Sequence, residues 1–104
     1  MNNTELLFVG DCLLSSSHWN SDLLSDSVKE EIYESDEFIA NLEAPIPDGQ
    51  ARDKFAPSLS ISSEGIERLS DIGVTSFTVA NNHIMDYGSE GLERTIDVCD
   101  HALV

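Results

Sequence analysis

Apolar residues along the chain form three short runs separated by segments with helical spacing. Because the runs are short and rich in β-branched and aromatic residues, they predict β-strands at 6–9, 38–41 and 74–79. The first run, Leu6-Leu7-Phe8-Val9, is apolar at every position and is bounded by Gly10-Asp11. A continuous apolar run of this kind predicts a strand that is buried on both faces of a parallel sheet.

Apolar residues recur every three or four positions in the intervening segments, which predicts three amphipathic helices. The first spans 22–33, the second follows an N-cap at Ser63 and ends at Gly73, and the third begins at Ser89. Their predicted buried faces contain Leu23, Leu24, Val28 and Ile32 in the first helix, Ile66, Leu69 and Ile72 in the second, and Leu92, Ile96 and Cys99 in the third.

The alternation of strands and helices predicts an α/β fold with three parallel strands and right-handed crossovers. The 104 residues suit one small domain without internal repeats. Sheets usually contain about 4–6 strands, so we expect residues 1–104 to be the amino-terminal part of a larger, truncated domain.

The charge of the chain narrows the range of partners. Twenty acidic residues against five basic ones give a net charge of −15. Nucleic acid and anionic membrane surfaces are therefore not expected as partners, since binding to either depends on lysine and arginine. The acidic residues are spread along the chain, which favours adaptation to a high-salt environment over the alternative of a cationic partner or a metal ion.

Targeting signals and cysteine motifs are both missing from the sequence. No segment approaches the roughly 20 apolar residues of a membrane span, and no signal peptide is recognisable, so the chain as written is expected to be cytoplasmic. Cys12 and Cys99 are too far apart for a metal-binding motif and are interpreted as small core residues.

Polar residues follow each predicted strand, in the clusters Gly10-Asp11, Asn41-Leu42-Glu43 and Asn81-Asn82-His83. The carboxyl ends of parallel strands meet at one edge of a sheet. Carboxylate, amide and imidazole groups bind manganese, iron or zinc, and a shared crevice suits a two-metal hydrolytic site. Taken singly, each cluster is explained as well by a cap, a solvated loop or a turn. Their joint placement favours a metal site.

The same segments resemble a known family. They are Leu7-Phe8-Val9-Gly10-Asp11, Ala40-Asn41-Leu42-Glu43-Ala44-Pro45-Ile46 and Ala80-Asn81-Asn82-His83-Ile84-Met85-Asp86-Tyr87-Gly88. In order and spacing they resemble the bacterial capsule-synthesis (CapA) family of poly-gamma-glutamate biosynthesis proteins, which is related to calcineurin-like metallophosphoesterases. The resemblance covers almost the whole chain. It implies that residues 1–104 form the amino-terminal half of a metallophosphatase-like α/β/β/α sandwich.

The resemblance also implies roles for individual residues. The implied metal ligands are Asp11, Glu43, Asn82 and His83. His83 is also implied to be catalytic, in contact with the phosphoryl group or the metal. Three further residues are implied to orient these ligands: Asn41, Asn81 and Asp86. The implied cofactors are divalent metals (Mn, Fe or Zn), two in the full-length family domain, and the implied partners are components of a capsule or polyglutamate synthase.

Several features depart from the family pattern. The chain contains no later His-x-His, Leu13 stands where the simpler phosphoesterase motif has a histidine, and the chain as written contains no export signal, although many family members are anchored outside the cell. Four ligands do not fill two metals that need about 4–6 donors each. The function expected is a metal-dependent hydrolase completed by further residues. The alternatives are a non-catalytic accessory subunit for anionic polymer assembly or export and an inactive fragment.

The remaining basic and imidazole groups are assigned outside the metal site. His18 lies in a serine-rich loop and His101 near a helix C-terminus. Arg52 and Lys54 are candidates for steering an anion, with a solvated loop as the alternative reading. The sequence identifies no substrate-binding residues.

Overall fold

A computed structural model of the chain describes residues 3–14, 24–48 and 59–103. In these residues three strands alternate with three helices, and both strand pairs are parallel, which confirms the predicted α/β class. The sheet has the order β1-β2-β3. The elements are β1 (Leu6–Cys12), α1 (Asp26–Glu34), β2 (Glu37–Leu42), α2 (Ser63–Asp71), β3 (Ser76–Thr78) and α3 (Gly88–Ala102).

Local capping residues set the ends of the helices. Ser25 caps α1, so this helix begins later than predicted, and positions 22 and 23 lie outside the described residues. The N-cap of α2 is Ser62, whose hydroxyl accepts a hydrogen bond from the Gly65 N–H at 3.1 Å, and the prediction of Ser63 was wrong by one residue. Gly73 follows α2 with φ +121°, a conformation that glycine adopts without strain.

The hydrophobic core lies on one face of the sheet. Phe38, Ala40 and Leu42 alternate along β2 with less buried residues and pack in one cluster with residues of α2 and α3. Strands in sequence order with right-handed crossovers place both connecting helices on the same face. The opposite face carries Leu6 and Phe8, which are 52% and 65% exposed. We call it the open face, because the described helices leave it uncovered.

The open face explains why the prediction for the first strand was wrong. β1 pairs only with β2 in the described sheet and is therefore an edge strand. On one face of β1, Leu7 packs against the buried cluster. On the other face, Leu6 and Phe8 are exposed. A continuous apolar pattern does not distinguish a strand covered on both faces from one covered on a single face.

The buried face of α3 also differs from the prediction. It consists of Gly91, Thr95, Val98 and Cys99, and Ile96 is 45% exposed. Gly91 allows the helix to approach the segment after β2, since a Cβ there would lie 3.0 Å from the Ile46 carbonyl oxygen. The Thr95 hydroxyl forms hydrogen bonds inside this contact. A polar residue is therefore buried on the face of α3 where the apolar pattern predicted an isoleucine.

Both cysteines are free thiols: Cys99 is buried in the core, as predicted, and Cys12 is half-buried and packs against it. Burial, with a smaller contribution from Asp100, raises the pKa of Cys99 to about 11. Burial also raises the pKa of Cys12, with a smaller contribution from Asp11.

In the part of the chain that the structure describes, no helix combines the length and the apolar character needed to cross a membrane.

Candidate functional site

A β-bulge near the end of β1 determines where the Asp11 side chain points. Phe8 pairs with Ile39, but Asp11 pairs with Asn41, so β1 uses one more residue than β2 between these positions. In a regular register Asp11 would lie opposite Leu42, which is fully buried. A shift of one residue moves a side chain to the other face of a sheet. The bulge therefore places the carboxylate on the open face, beside Asn41. The prediction that Gly10-Asp11 ends the strand was wrong, because β1 continues to Cys12.

The Asn41 side chain joins the three strands at their carboxyl ends. Its Nδ2 donates to Asp11 Oδ1 on β1 at 2.5 Å. Its Oδ1 accepts from the Thr78 hydroxyl on β3 at 3.0 Å and from Asn81 Nδ2 at 3.3 Å. Asn41 pairs with both Asp11 and Thr78 in the strand register, so the three side chains lie level across the sheet.

Asn81 connects this row to the loop that follows β3. Its Nδ2 also donates to the Leu42 carbonyl at 2.8 Å, and its Oδ1 accepts the backbone N–H of His83 at 3.0 Å. The side chain thus fixes the backbone at the start of the loop. The Asn-Asn-His segment is a turn, as the alternative reading of the sequence held, but its first amide is also part of the sheet-edge network.

The His83 ring is oriented by Asp86. His83 Nδ1 lies 2.7 Å from Asp86 Oδ2, and the two side chains are 24% and 18% exposed. The same carboxylate oxygen accepts the Leu59 N–H at 2.9 Å, which ties the Asp86 side chain to the segment before α2. When Nδ1–H donates to a carboxylate, the lone pair of a neutral ring is on Nε2. In the neutral form of His83 this contact therefore leaves the Nε2 lone pair available to a metal.

Glu43 and Asn82 lie next to the residues of this network. Glu43 follows β2 directly, is half-buried, and donates its backbone N–H to the Cys12 carbonyl at 3.2 Å. Asn82 lies between Asn81 and His83 and is exposed. The structure thus brings Asp11, Asn41, Asn81, His83 and Asp86 into linked contacts, with Glu43 and Asn82 adjacent in the chain.

The donor chemistry of the predicted ligands suits manganese, iron or zinc, because it combines carboxylate, amide and imidazole groups. A metal site also requires these side chains to lie close to one point. Among residues 3–14, 24–48 and 59–103, no three histidine, cysteine, aspartate or glutamate side chains lie close enough together to hold a metal ion. The described chain therefore offers suitable donors at one edge of the sheet without a closed metal cage.

Thr78 is the contact that the sequence analysis missed. Threonine is common in strands, so its type carries no functional signal. Its contact with Asn41 follows from the strand register, in which the two residues are paired, and the sequence alone does not give this register. His101 lies in the last turn of α3, where its Nδ1–H donates to the Asp97 carbonyl at 2.7 Å. The predictions for His18, Arg52 and Lys54 concern positions outside the described residues.

The family of this protein is identified by comparison with known proteins. The model of the family described as "Bacterial capsule synthesis protein PGA_cap" matches residues 5–104. No curated protein sequence matches the chain significantly. The matched range includes the strand-end motifs and the loop that carries Asn81 and His83. Because the match spans nearly the whole chain, this protein belongs to the bacterial capsule synthesis protein family.

Proposed function

We propose that this capsule synthesis protein acts in poly-gamma-glutamate metabolism through a divalent-metal site of the metallophosphoesterase type. The proposed ligands are Asp11, Glu43, Asn82 and His83, with further donors from outside this set, and His83 is also the proposed catalytic group. One observation carries the proposal: a continuous set of hydrogen bonds links Asp11 on β1, through Asn41 and Asn81, to the backbone of His83.

The orientation of the individual groups supports a role in binding a metal or a phosphoryl group. Histidine ligands commonly donate their second ring nitrogen to a carboxylate, and Asp86 is bonded to His83 in this manner. Asp11 is oriented by a hydrogen bond as well, because the Asn41 amide donates to its carboxylate. A bound divalent metal would supply Lewis-acid polarisation of a phosphoryl oxygen. The protein's own residues hold the donors in place.

The acidity of the chain gives a further reason for a metal. A net charge of −15 repels a polyanion such as poly-gamma-glutamate. With five basic residues in the sequence, the chain has few cations to offset this repulsion. A divalent ion at the sheet edge would place positive charge where an anionic group must approach.

The second candidate function is that of a non-catalytic accessory subunit for polymer assembly or export, with synthase components as partners. It is favoured by the lack of a three-residue cluster of metal-binding side chains in the part of the chain that the structure describes. In this case the polar edge would serve only to connect the three strands and the loop after β3.

A Mn²⁺ titration by isothermal calorimetry separates the two functions. Wild-type protein should bind Mn²⁺ weakly, because the proposed ligands need further donors, and Asp11→Asn and His83→Ala should each weaken this binding at least tenfold. Glu30→Gln is the matched control, because Glu30 is an exposed carboxylate on α1, away from the strand ends. A wild-type chain that binds no Mn²⁺, or equal losses in the control, would contradict the metal site and leave the accessory function.

A further inference from the structure

We propose that Thr78 is a positioning residue which, together with Asn81, fixes the orientation of the Asn41 amide and thereby the orientation of the Asp11 carboxylate. The orientation itself is argued from contacts in the chain alone. Its consequence for ligand binding rests on the proposed function.

The orientation of Asn81 is set by two backbone groups. The Leu42 carbonyl can only accept a hydrogen bond, so it requires the NH₂ group of Asn81, which lies 2.8 Å away. The His83 N–H can only donate, so it requires the amide oxygen of Asn81, at 3.0 Å. Rotating the Asn81 amide by 180° would break both bonds. Backbone atoms therefore determine which end of Asn81 faces Asn41.

The orientation of Asn41 follows from that of Asn81 and from Thr78. Asn81 presents its NH₂ group to Asn41 at 3.3 Å, and this contact requires the oxygen of the Asn41 amide. With the amide in this orientation, the Thr78 hydroxyl donates to the same oxygen at 3.0 Å and helps to hold it. The reversed amide would place two NH₂ groups against each other. The Thr78 bond is the shorter of the two, so we assign it the larger share in holding Asn41.

The consequence reaches Asp11. With its oxygen held by β3 and the following loop, Asn41 presents its NH₂ group to Asp11 Oδ1 at 2.5 Å. A reversed Asn41 would instead bring an amide oxygen against a carboxylate oxygen, which is repulsive. Asp11 is exposed on an edge strand, so its carboxylate would otherwise sample several rotamers. Thr78 thus acts two strands away, by committing Oδ1 to Asn41 and leaving Oδ2 for a ligand.

The test compares three variants of the full chain by NMR without metal. Thr78→Val removes the hydroxyl at nearly constant shape, and Thr78→Ser retains it. Ser76→Ala removes a hydroxyl two residues earlier on the same face of β3. Thr78→Val should speed hydrogen exchange of the Asn41 side-chain amide about fivefold, the factor that one neutral hydrogen bond supplies, and shift the Asp11 carboxyl ¹³C resonance. The serine variant and the control should match the wild type.

A second measurement connects the orientation to the site. Thr78→Val should weaken Mn²⁺ binding about tenfold, which is the lower end of the effect of removing a residue that orients a metal ligand. Thr78→Ser should bind Mn²⁺ as the wild type does. Unchanged Asn41 and Asp11 resonances in Thr78→Val would overturn the inference, and altered resonances with unchanged Mn²⁺ affinity would overturn its link to Asp11 ligation. If the wild type binds no Mn²⁺, the proposed function fails, and the metal-free NMR comparison still decides the role of Thr78.

Discussion

Replacing Thr95 with valine tests how the segment that carries Glu43 is held against α3. Thr95 is fully buried, and its hydroxyl accepts the Ile46 N–H at 2.9 Å. The same hydroxyl donates to the Gly91 carbonyl at 2.6 Å. Valine has nearly the same shape, so the substitution replaces the hydroxyl with a methyl group and removes both hydrogen bonds.

The expected loss of stability follows from the Ile46 N–H. A buried donor left without its partner costs about 1–3 kcal/mol. Ile46 is only partly buried, so solvent can replace some of the lost interaction, and the added methyl contributes at most about 0.8 kcal/mol in the opposite direction. We therefore expect Thr95→Val to lower the free energy of unfolding by about 1–2 kcal/mol.

Urea unfolding followed by circular dichroism measures this loss, with Thr95→Ser as the matched variant. Serine keeps the hydroxyl but removes a buried methyl group, at a cost of about 1 kcal/mol. Stability alone therefore does not separate the two variants. Exchange of the Ile46 backbone amide does, because it should become fast in Thr95→Val and stay protected in Thr95→Ser. An Ile46 amide that stays equally protected in the valine variant would refute the reasoning.

Two further predictions concern stability. Gly73→Ala should cost about 2–3 kcal/mol in urea unfolding, because φ is +121° and a new Cβ would lie 2.5 Å from Ile32 Cγ2; Gly10→Ala, with nothing within 4 Å of its Cβ, should stay within about 0.5 kcal/mol of wild type. Cys99 has a pKa raised from 9.0 to about 11, so the unfolded chain loses this proton first, and roughly 2–3 kcal/mol of stability present below pH 9 should be lost by about pH 11. Cys99→Ala should flatten this part of the pH profile, and an unchanged slope would contradict the assignment.

The sequence pattern predicted the number, type and order of the elements because each leaves a local signal. The predicted positions of the strand 38–41 and of the helix with Ile66 and Leu69 were close to the observed ones, because the apolar residues of both elements face one core. Local signals did not show that this core lies on one face of the sheet only. The exposure of Leu6 and Phe8 depends on what packs over β1, which is a property of the whole fold.

The candidate site shows the same division between local and non-local information. The rule that parallel strands end at one edge was sufficient to group Asp11, Asn41 and Asn81. It did not predict the extra residue in β1, and a regular register would have turned Asp11 toward the core. The bulge and the Thr78 hydroxyl are both settled by cross-strand pairing, which no single segment of the sequence encodes. The residue types at the sheet edge could therefore be predicted from the sequence. The contacts that orient these residues could not, because they depend on the register of the strands.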